Sequence, residues 1–303
     1  MDHPAYVNLL NMASTEEGLA ASVAYLSEQL SFLKPQENVL ICFTRNQPNE
    51  IGSLFEKAVL ACGAVPVFWE KDYRWKTLLR QAFSNRVTTV IGPPLVVLGL
   101  GKLARYKETP LNVRNVITAG YPCLDWMIEG IMKCFDCTTG GCFTPGSRLV
   151  AGYSCNQSRG VHIRDDIFGV DIVDPQGNPC PEGELGDMVL YAKADPTVRF
   201  PMGEQARFDS SPCACGCKRP RLVDMQTGQI SDLQLDSMTQ ELISWTSVLD
   251  CRLRKGSYGL ELELVVFPGE KLPKLPSAAK QVVRAWDPEK DEPFYYVPGI
   301  EKT

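Results

Sequence analysis

The chain has 303 residues, 44% of them hydrophobic and 22% charged, with a net charge of −5 and both signs interleaved. This is an ordinary globular composition, long enough for two folding units, and it excludes the basic surface that a nucleic acid or an anionic membrane would require. Twelve cysteines stand in a chain with no basic-then-apolar N-terminal signal, and its longest apolar run, residues 90–100, is broken by glycine and proline. Those features predict a cytoplasmic protein whose thiols stay reduced and serve metal binding or packing rather than disulfides.

Ser14-Thr15-Glu16-Glu17-Gly18 opens an amphipathic helix that runs to residue 30, with Ser14 as N-cap and Glu17 at capping-box spacing. A turn over 35–38 leads to the buried strand Val39-Leu40-Ile41-Cys42-Phe43. Helix 51–62, strand 63–69, helix 75–83, strand 88–92, helix 95–106 and strand 113–119 follow. Alternation at this spacing predicts βαβ units and a parallel sheet with flanking helices, and continuous apolar strands suit burial on both faces. Helix 124–135 comes next, and then a Gly-rich loop from Thr138 to Ser147. The loop falls where a doubly wound sheet takes its ligand and can cradle a phosphate, although three glycines and a proline also simply make a turn.

From Gly152 the pattern is β-rich, with strands over 166–173, 188–192 and 221–224, which predicts an antiparallel subdomain over 152–225. Past a turn at Gln226-Thr227-Gly228-Gln229 come helix 237–246, strands 249–255 and 260–267 joined by Gly256-Ser257-Tyr258-Gly259, helix 277–286 and strand 293–297. That order is most of a ferredoxin-like α+β module. The expected architecture is therefore α/β, with a large domain over 1–225 and a small α+β domain over 226–303.

Within 152–222, Cys155 and His162 lie seven residues apart, and about fifty residues later comes the knot Cys213-Ala214-Cys215-Gly216-Cys217. A strand excursion that leaves one Cys/His pair and returns to a second Cys cluster can close a tetrahedral site. Thiolate and imidazole are the donors Zn²⁺ prefers. Of the two histidines, His3 and His162, the second alone stands beside cysteines. The expected ligands are Cys155, His162, Cys213 and Cys215, with Cys217 as the substitute. Four protein ligands would make the zinc structural. Free, partly buried thiols beside a solvated histidine are the plainer alternative.

Several segments resemble the adenylate-forming enzymes. Pro181-Glu182-Gly183-Glu184-Leu185-Gly186-Asp187 is similar to their Gly-Glu-Leu-Gly motif. His162-Ile163-Arg164-Asp165-Asp166, Ile172-Val173-Asp174-Pro175, Cys213-Ala214-Cys215-Gly216 and Pro220-Arg221-Leu222 resemble the phenylacetate–CoA ligase branch, which is zinc-binding in some members. The likeness runs from about residue 15 to the end and is strongest over 116–222. It implies activation of a small carboxylate by Mg-ATP to an acyl adenylate, transfer to coenzyme A, and a small domain that rotates between the two half-reactions.

By the same resemblance, Gly120 and Tyr121 fall in the family's Gly-Ala-Glu-Pro turn. Phe143 falls at the aromatic that stacks on adenine, and Glu204 at the carboxylate that grips the ribose. Lys302 falls at the adenylating lysine. Other positions depart from the pattern. Ser147 replaces the magnesium carboxylate, and a hydroxyl is a poor lone ligand for a hard dication. The phosphate loop has no counterpart, since Ser14-Thr15-Glu16-Glu17-Gly18 is acidic where a triphosphate needs uncharged donors. The hinge signature is absent from Val223-Asp224-Met225-Gln226-Thr227-Gly228.

The leading expectation is a shortened, degenerate ligase-like protein that keeps a zinc site and a nucleotide, acyl-adenylate or CoA cleft. A working ligase with altered ATP contacts, or one completed by a partner chain supplying the missing N-terminal half, is the second. A redox or metal-handling protein using Cys134, Cys137 and Cys142 is the third.

Overall fold

The structure, a computed structural model, describes residues 4–45, 50–69, 72–120, 123, 125–144, 149–155, 160–227, 244–256, 259–271 and 280–294. Four short apolar runs form its first half: Asn38–Ile41 (β1), Val65–Phe68 (β2), Thr89–Gly92 (β3) and Asn115–Thr118 (β4). They pair in parallel in the order β2-β1-β3-β4. Side chains alternate across such a strand, so both faces must be covered. Around β1, Leu40 and Cys42 enter one apolar cluster, and Val39, Ile41 and Phe43 enter another. Helices Trp75–Ser84 (α4), Pro94–Tyr106 (α5) and Asp125–Phe135 (α6) fill the first cluster. Helices Glu16–Gln29 (α2) and Ile51–Ala61 (α3) fill the second.

The sheet does not stop at the predicted Gly-rich loop. Thr138–Phe143 is a strand (β5), parallel to β4 on one side and antiparallel to Gly152–Ser154 (β6) on the other. Glycine serves packing there, because a Cβ on Gly140 would stand 2.4 Å from the Tyr153 hydroxyl. Beyond β6 the same sheet continues through Val161–Ile163 (β7), Arg221–Thr227 (β11), Arg199–Asp209 (β10), Gly186–Ala192 (β9) and Phe168–Val173 (β8), giving eleven strands among the described residues. The β-rich stretch is thus antiparallel, as expected, and is continuous with the parallel half. Pro4–Ala13 forms a helix (α1) that covers it, burying Tyr6 and Leu9, a helix not anticipated from sequence.

The α2 cap is Thr15 rather than Ser14. Thr15 Oγ1 accepts from the Gly18 N–H at 3.1 Å, while the Ser14 hydroxyl donates back to the Leu10 carbonyl.

At the C-terminus, Val248–Gly256 (β12) and Gly259–Val266 (β13) pair antiparallel, as predicted. Residues 280–285, expected to be helical, form a strand instead, Lys280–Ala285 (β14), parallel to β13. Cross-strand pairing decides this. Lys280 meets Glu261 and Arg284 meets Glu263 on one face, a register that no helix provides. Helix 237–246 lies almost entirely outside the described residues, as do Tyr121, Ser147, Lys302 and most of strand 293–297. Among the described residues, no helix is long and apolar enough to cross a membrane.

Candidate metal centre and ligand cleft

The β6–β7 hairpin sets Tyr153 opposite His162. Cys155, two residues beyond Tyr153, therefore shares the face of His162. On the other side β7 pairs with β11, with Arg221 opposite His162, so the turn between β10 and β11 folds back over that face. This turn is the cysteine knot. It closes on a Gly216 N–H donating to the Cys213 carbonyl at 3.0 Å, with Gly216 at φ +82, a conformation glycine adopts without strain.

The result brings four ligand atoms, from Cys155, His162, Cys213 and Cys215, within 4.8 Å of one another. The sulfurs of Cys155 and Cys213 are 3.6 Å apart, and Cys215 Sγ is 3.3 Å from His162 Nε2. Zinc bonds of about 2.3 Å to sulfur and about 2.0–2.1 Å to nitrogen put tetrahedral edges at about 3.6–3.8 Å. The Cys155–Cys213 edge matches that polyhedron, the Cys215–His162 edge is slightly shorter, and with all four atoms within 4.8 Å a metal ion would need to draw the quartet in by about 1 Å at most.

Secondary contacts fit it too. His162 Nδ1 faces the Arg219 carbonyl at 3.3 Å, which leaves Nε2 for the metal side. The N–H groups of Cys215 and Cys217 point at Cys213 Sγ (3.5 Å) and Cys215 Sγ (3.4 Å). Cys217 itself stays outside the quartet. Desolvation by the packed cluster, against the pull of the Cys217 N–H and together with the sulfurs of Cys213 and Cys155, pushes the thiol of Cys215, itself at the surface, up to about 11. A bound dication favours deprotonation of such a cluster.

The surroundings anchor the cluster to α2. The Tyr25 hydroxyl donates to the His162 carbonyl at 3.3 Å, and Arg219 lies over the Tyr25 ring and pairs with Glu28 and Asp165. Arg164, fully buried, donates to Ser22 Oγ (2.9 Å) and the Val150 carbonyl (3.1 Å), and forms a two-point pair with Asp166. Burial raises the Asp166 carboxyl while the Arg164 contacts lower it, and the net shift is downward.

Of the nucleotide candidates, Gly120 lies just past the carboxyl end of β4 with φ +87. Its N–H donates to Thr144 Oγ1 at 2.9 Å, so it sits beside the end of β5 that carries Phe143. Glu204 is in β10 opposite Thr227, with β6, β7 and β11 between it and β5 along the sheet, but Phe143 and the β10 side chains Phe200, Met202 and Ala206 join one apolar cluster, so β10 curls back toward the end of β5. Its Oε2 is buried without a hydrogen-bond partner, and burial pushes its carboxyl up to about 6. An orphaned buried carboxylate oxygen of this kind is an acceptor awaiting a donor.

The redox candidates are poorly activated. Burial raises Cys134 despite the nearby Arg105 and Lys102, pushes Cys137 up to about 11, and raises Cys142 further. Thiolate character, which redox chemistry needs, is suppressed at all three.

Lys102 in α5 and Asp250 in β12 are buried charges that the sequence pattern does not single out. The signal available was a lone charge in each of two otherwise apolar runs, Val96-Val97-Leu98-Gly99-Leu100-Gly101-Lys102-Leu103 and Val248-Leu249-Asp250-Cys251.

No protein-family model and no curated protein sequence matches the chain. Solved structures do share its fold. A 2-hydroxyisobutyryl-CoA ligase in the postadenylation state with 2-HIB-AMP aligns at a TM-score of 0.67 and 14% identity, over 94% of this chain and 70% of the ligase. A benzoate CoA ligase from Burkholderia xenovorans LB400 aligns at 0.52 and 12%, over 87% of this chain and 62% of that one. The amide bond synthetase McbA from Marinactinospora thermotolerans aligns at 0.50 and 15%, over 86% and 61%. The chain has the fold of the adenylate-forming ligases and spans between three fifths and seven tenths of the length of these neighbours.

Proposed function

We propose that this chain is a phenylacetate–CoA ligase-like binding protein that holds one structural zinc and a nucleotide or acyl-CoA ligand, without efficient adenylation. The observation that carries the reading is the meeting of Cys155, His162, Cys213 and Cys215 on a ligase-type sheet. Zinc would close the seam between the parallel and antiparallel halves of the sheet and supply no reactive position, because all four ligands come from protein. Phe143 would offer an aromatic face to adenine, and Glu204, with its free Oε2, would accept from ribose hydroxyls. Ser147 in place of a magnesium carboxylate, and the acidic Glu16-Glu17 where a phosphate loop is expected, argue against turnover. Losing one preorganised charge partner typically costs about 10²–10³ in rate.

The test is elemental analysis with calorimetry and pyrophosphate exchange on the same preparation. Expected are about one zinc per chain, binding of ATP, AMP or CoA, and no exchange with a panel of aryl and short-chain acids. Zinc below about a tenth of an equivalent would overturn the metal assignment. Exchange above background would replace the binding role by that of a working ligase. Exchange that arises only with a second chain from the host would identify a partner-completed ligase.

A further inference from the structure

The C-terminal strands rest on a core rather than on a polar seam. Val248, Leu249 and Cys251 of β12, Leu262 and Leu264 of β13, and the adjoining Phe267 are buried in the same apolar cluster as α4 and α5. Helix α5 is enclosed along most of its length, from Val96 to Ala104. Glycine lets α5 pack closely on its neighbouring helices: a Cβ on Gly99 would stand 2.1 Å from the Trp75 ring of α4, and one on Gly101 2.5 Å from Cys134 Cβ of α6.

Polar contacts cross the same boundary at fixed points. Buried Lys102 donates its ammonium to the Val248 carbonyl at 2.8 Å. The Tyr106 hydroxyl donates to the Pro268 carbonyl at 3.1 Å. The backbone N–H of Trp75 donates to the Asp291 carbonyl at 3.1 Å. Tyr106 stacks on Phe267 with centroids 4.3 Å apart and planes 11° from parallel.

Domains that move against one another meet through modest, polar interfaces, whereas a large apolar interface holds them together. A hinge that opened here would expose the packed faces of both β12–β13 and α5 to water, the most costly surface to uncover. We infer that the C-terminal sheet is a fixed wall of this molecule, seated on α5 by Lys102, and that it does not swing between two positions. The rotation that the ligase resemblance implies is therefore absent, and one arrangement must serve every ligand the chain takes. Under the proposed binding role this suits a protein that holds one ligand state and does not pass from adenylation to thioester formation. The inference about the unliganded protein does not depend on that role.

Native-state hydrogen exchange on the full chain tests it, with peptides read from α5, β3–β4 and β12–β13 over a series of sub-denaturing urea concentrations. A fixed wall predicts that the three regions lose protection at the same urea concentration, and that ATP with magnesium, AMP or CoA leaves β12–β13 protection relative to α5 unchanged. Exchange of β12–β13 at lower urea than β3–β4, or a rise or fall in their exchange on adding CoA or ATP, would overturn it. Lys102→Met keeps the aliphatic stem and removes the donor. It should speed exchange of the β12 amides about tenfold with β1 and β8 unaffected, and no change there would remove Lys102 from its seating role. Calorimetry on the same sample separates the two ideas, since absence of ATP, AMP and CoA binding sinks the ligand reading while the urea series still reports on the wall.

Discussion

At the scale of single residues, burial sets the behaviour of Asp250, Lys102 and Glu204. Burial pushes the Asp250 carboxyl from 3.8 to about 7, against the pull of the Phe294 and Cys251 N–H groups, Lys102 and Arg252. A carboxyl raised in the folded state binds more protons there than in the unfolded chain between pH 4 and 7. Its contribution to stability is therefore fully present below pH 4 and is lost as pH rises through 7. Burial lowers Lys102 from 10.5 to about 8, with Cys251, Cys134 and Asp250 pulling the other way. Its cost is full below pH 8 and is relieved as pH rises toward 10.5. Asp250→Asn keeps an acceptor for the Phe294 N–H and removes the titration. Urea midpoints at pH 5 and pH 7.5 should show wild type losing stability relative to this variant, by more than 1 kcal/mol at the conventional rate of about 1.4 kcal/mol per unit of pKa shift. A parallel dependence in the two proteins would mean that Asp250 does not titrate in this range.

Glu204 carries a second expectation at the same scale. Its carboxyl is pushed up to about 6, so the ionised acceptor that a ribose needs dominates above pH 6. AMP affinity should therefore fall as pH drops from 7 to 5, and Glu204→Gln should flatten that profile. An identical pH profile in the variant would separate Glu204 from the ligand. The Cys/His quartet was legible in the sequence because chemistry alone groups His162 with the cysteines beside it. Lys102 and Asp250 were not singled out because helix and strand patterns absorb one charge without changing period, and only the second sheet packed over α5 makes those positions interior.

At the scale of elements, the parallel strands were readable because each is a continuous apolar run followed by a helical one. The misread elements are those decided by contacts distant in sequence. Residues 138–143 carry two glycines and look like a loop, yet they form β5 because Tyr153 lies over Gly140 and leaves no room for a side chain. Gly140→Ala must displace that buried ring, and overpacking of this kind typically costs about 1–3 kcal/mol. Tyr153→Phe in the same chain removes the nearest atom and should restore part of the loss. A double-mutant cycle from urea titrations measures the coupling, and additive effects would show that the two residues do not meet. Residues 280–285 are misread for a related reason. Their spacing suits a helix, but adjacent Val282 and Val283 favour a strand, and pairing with Glu261 and Glu263 on β13 fixes the outcome.

At the scale of the whole molecule, the eleven-stranded sheet has a weak place where its two halves join. β5, β6 and β7 meet there through three-residue strands, β6 and β7, and β7 holds β11 through two residue pairs. Short strands supply few ladder hydrogen bonds, so the join needs another fastening. The quartet of Cys155, His162, Cys213 and Cys215 lies across it, drawing from β7, the residue after β6, and the turn that precedes β11. A dication held there would be part of the folding free energy, because the four donors are dispersed in the unfolded chain. Cys155→Ala should therefore release the metal and lower the melting temperature by roughly 3–5 °C, the shift expected when a chain of this size loses about 2–3 kcal/mol. Chelator-treated wild type should melt with the variant, and adding zinc back should rescue wild type alone. Hydrogen exchange should rise in β6, β7 and β11 before it rises in β1, β3 and β4, since the parallel half has its own helices on both faces. Melting curves that coincide for wild type and Cys155→Ala, with zinc present, would show that the seam holds without the cluster.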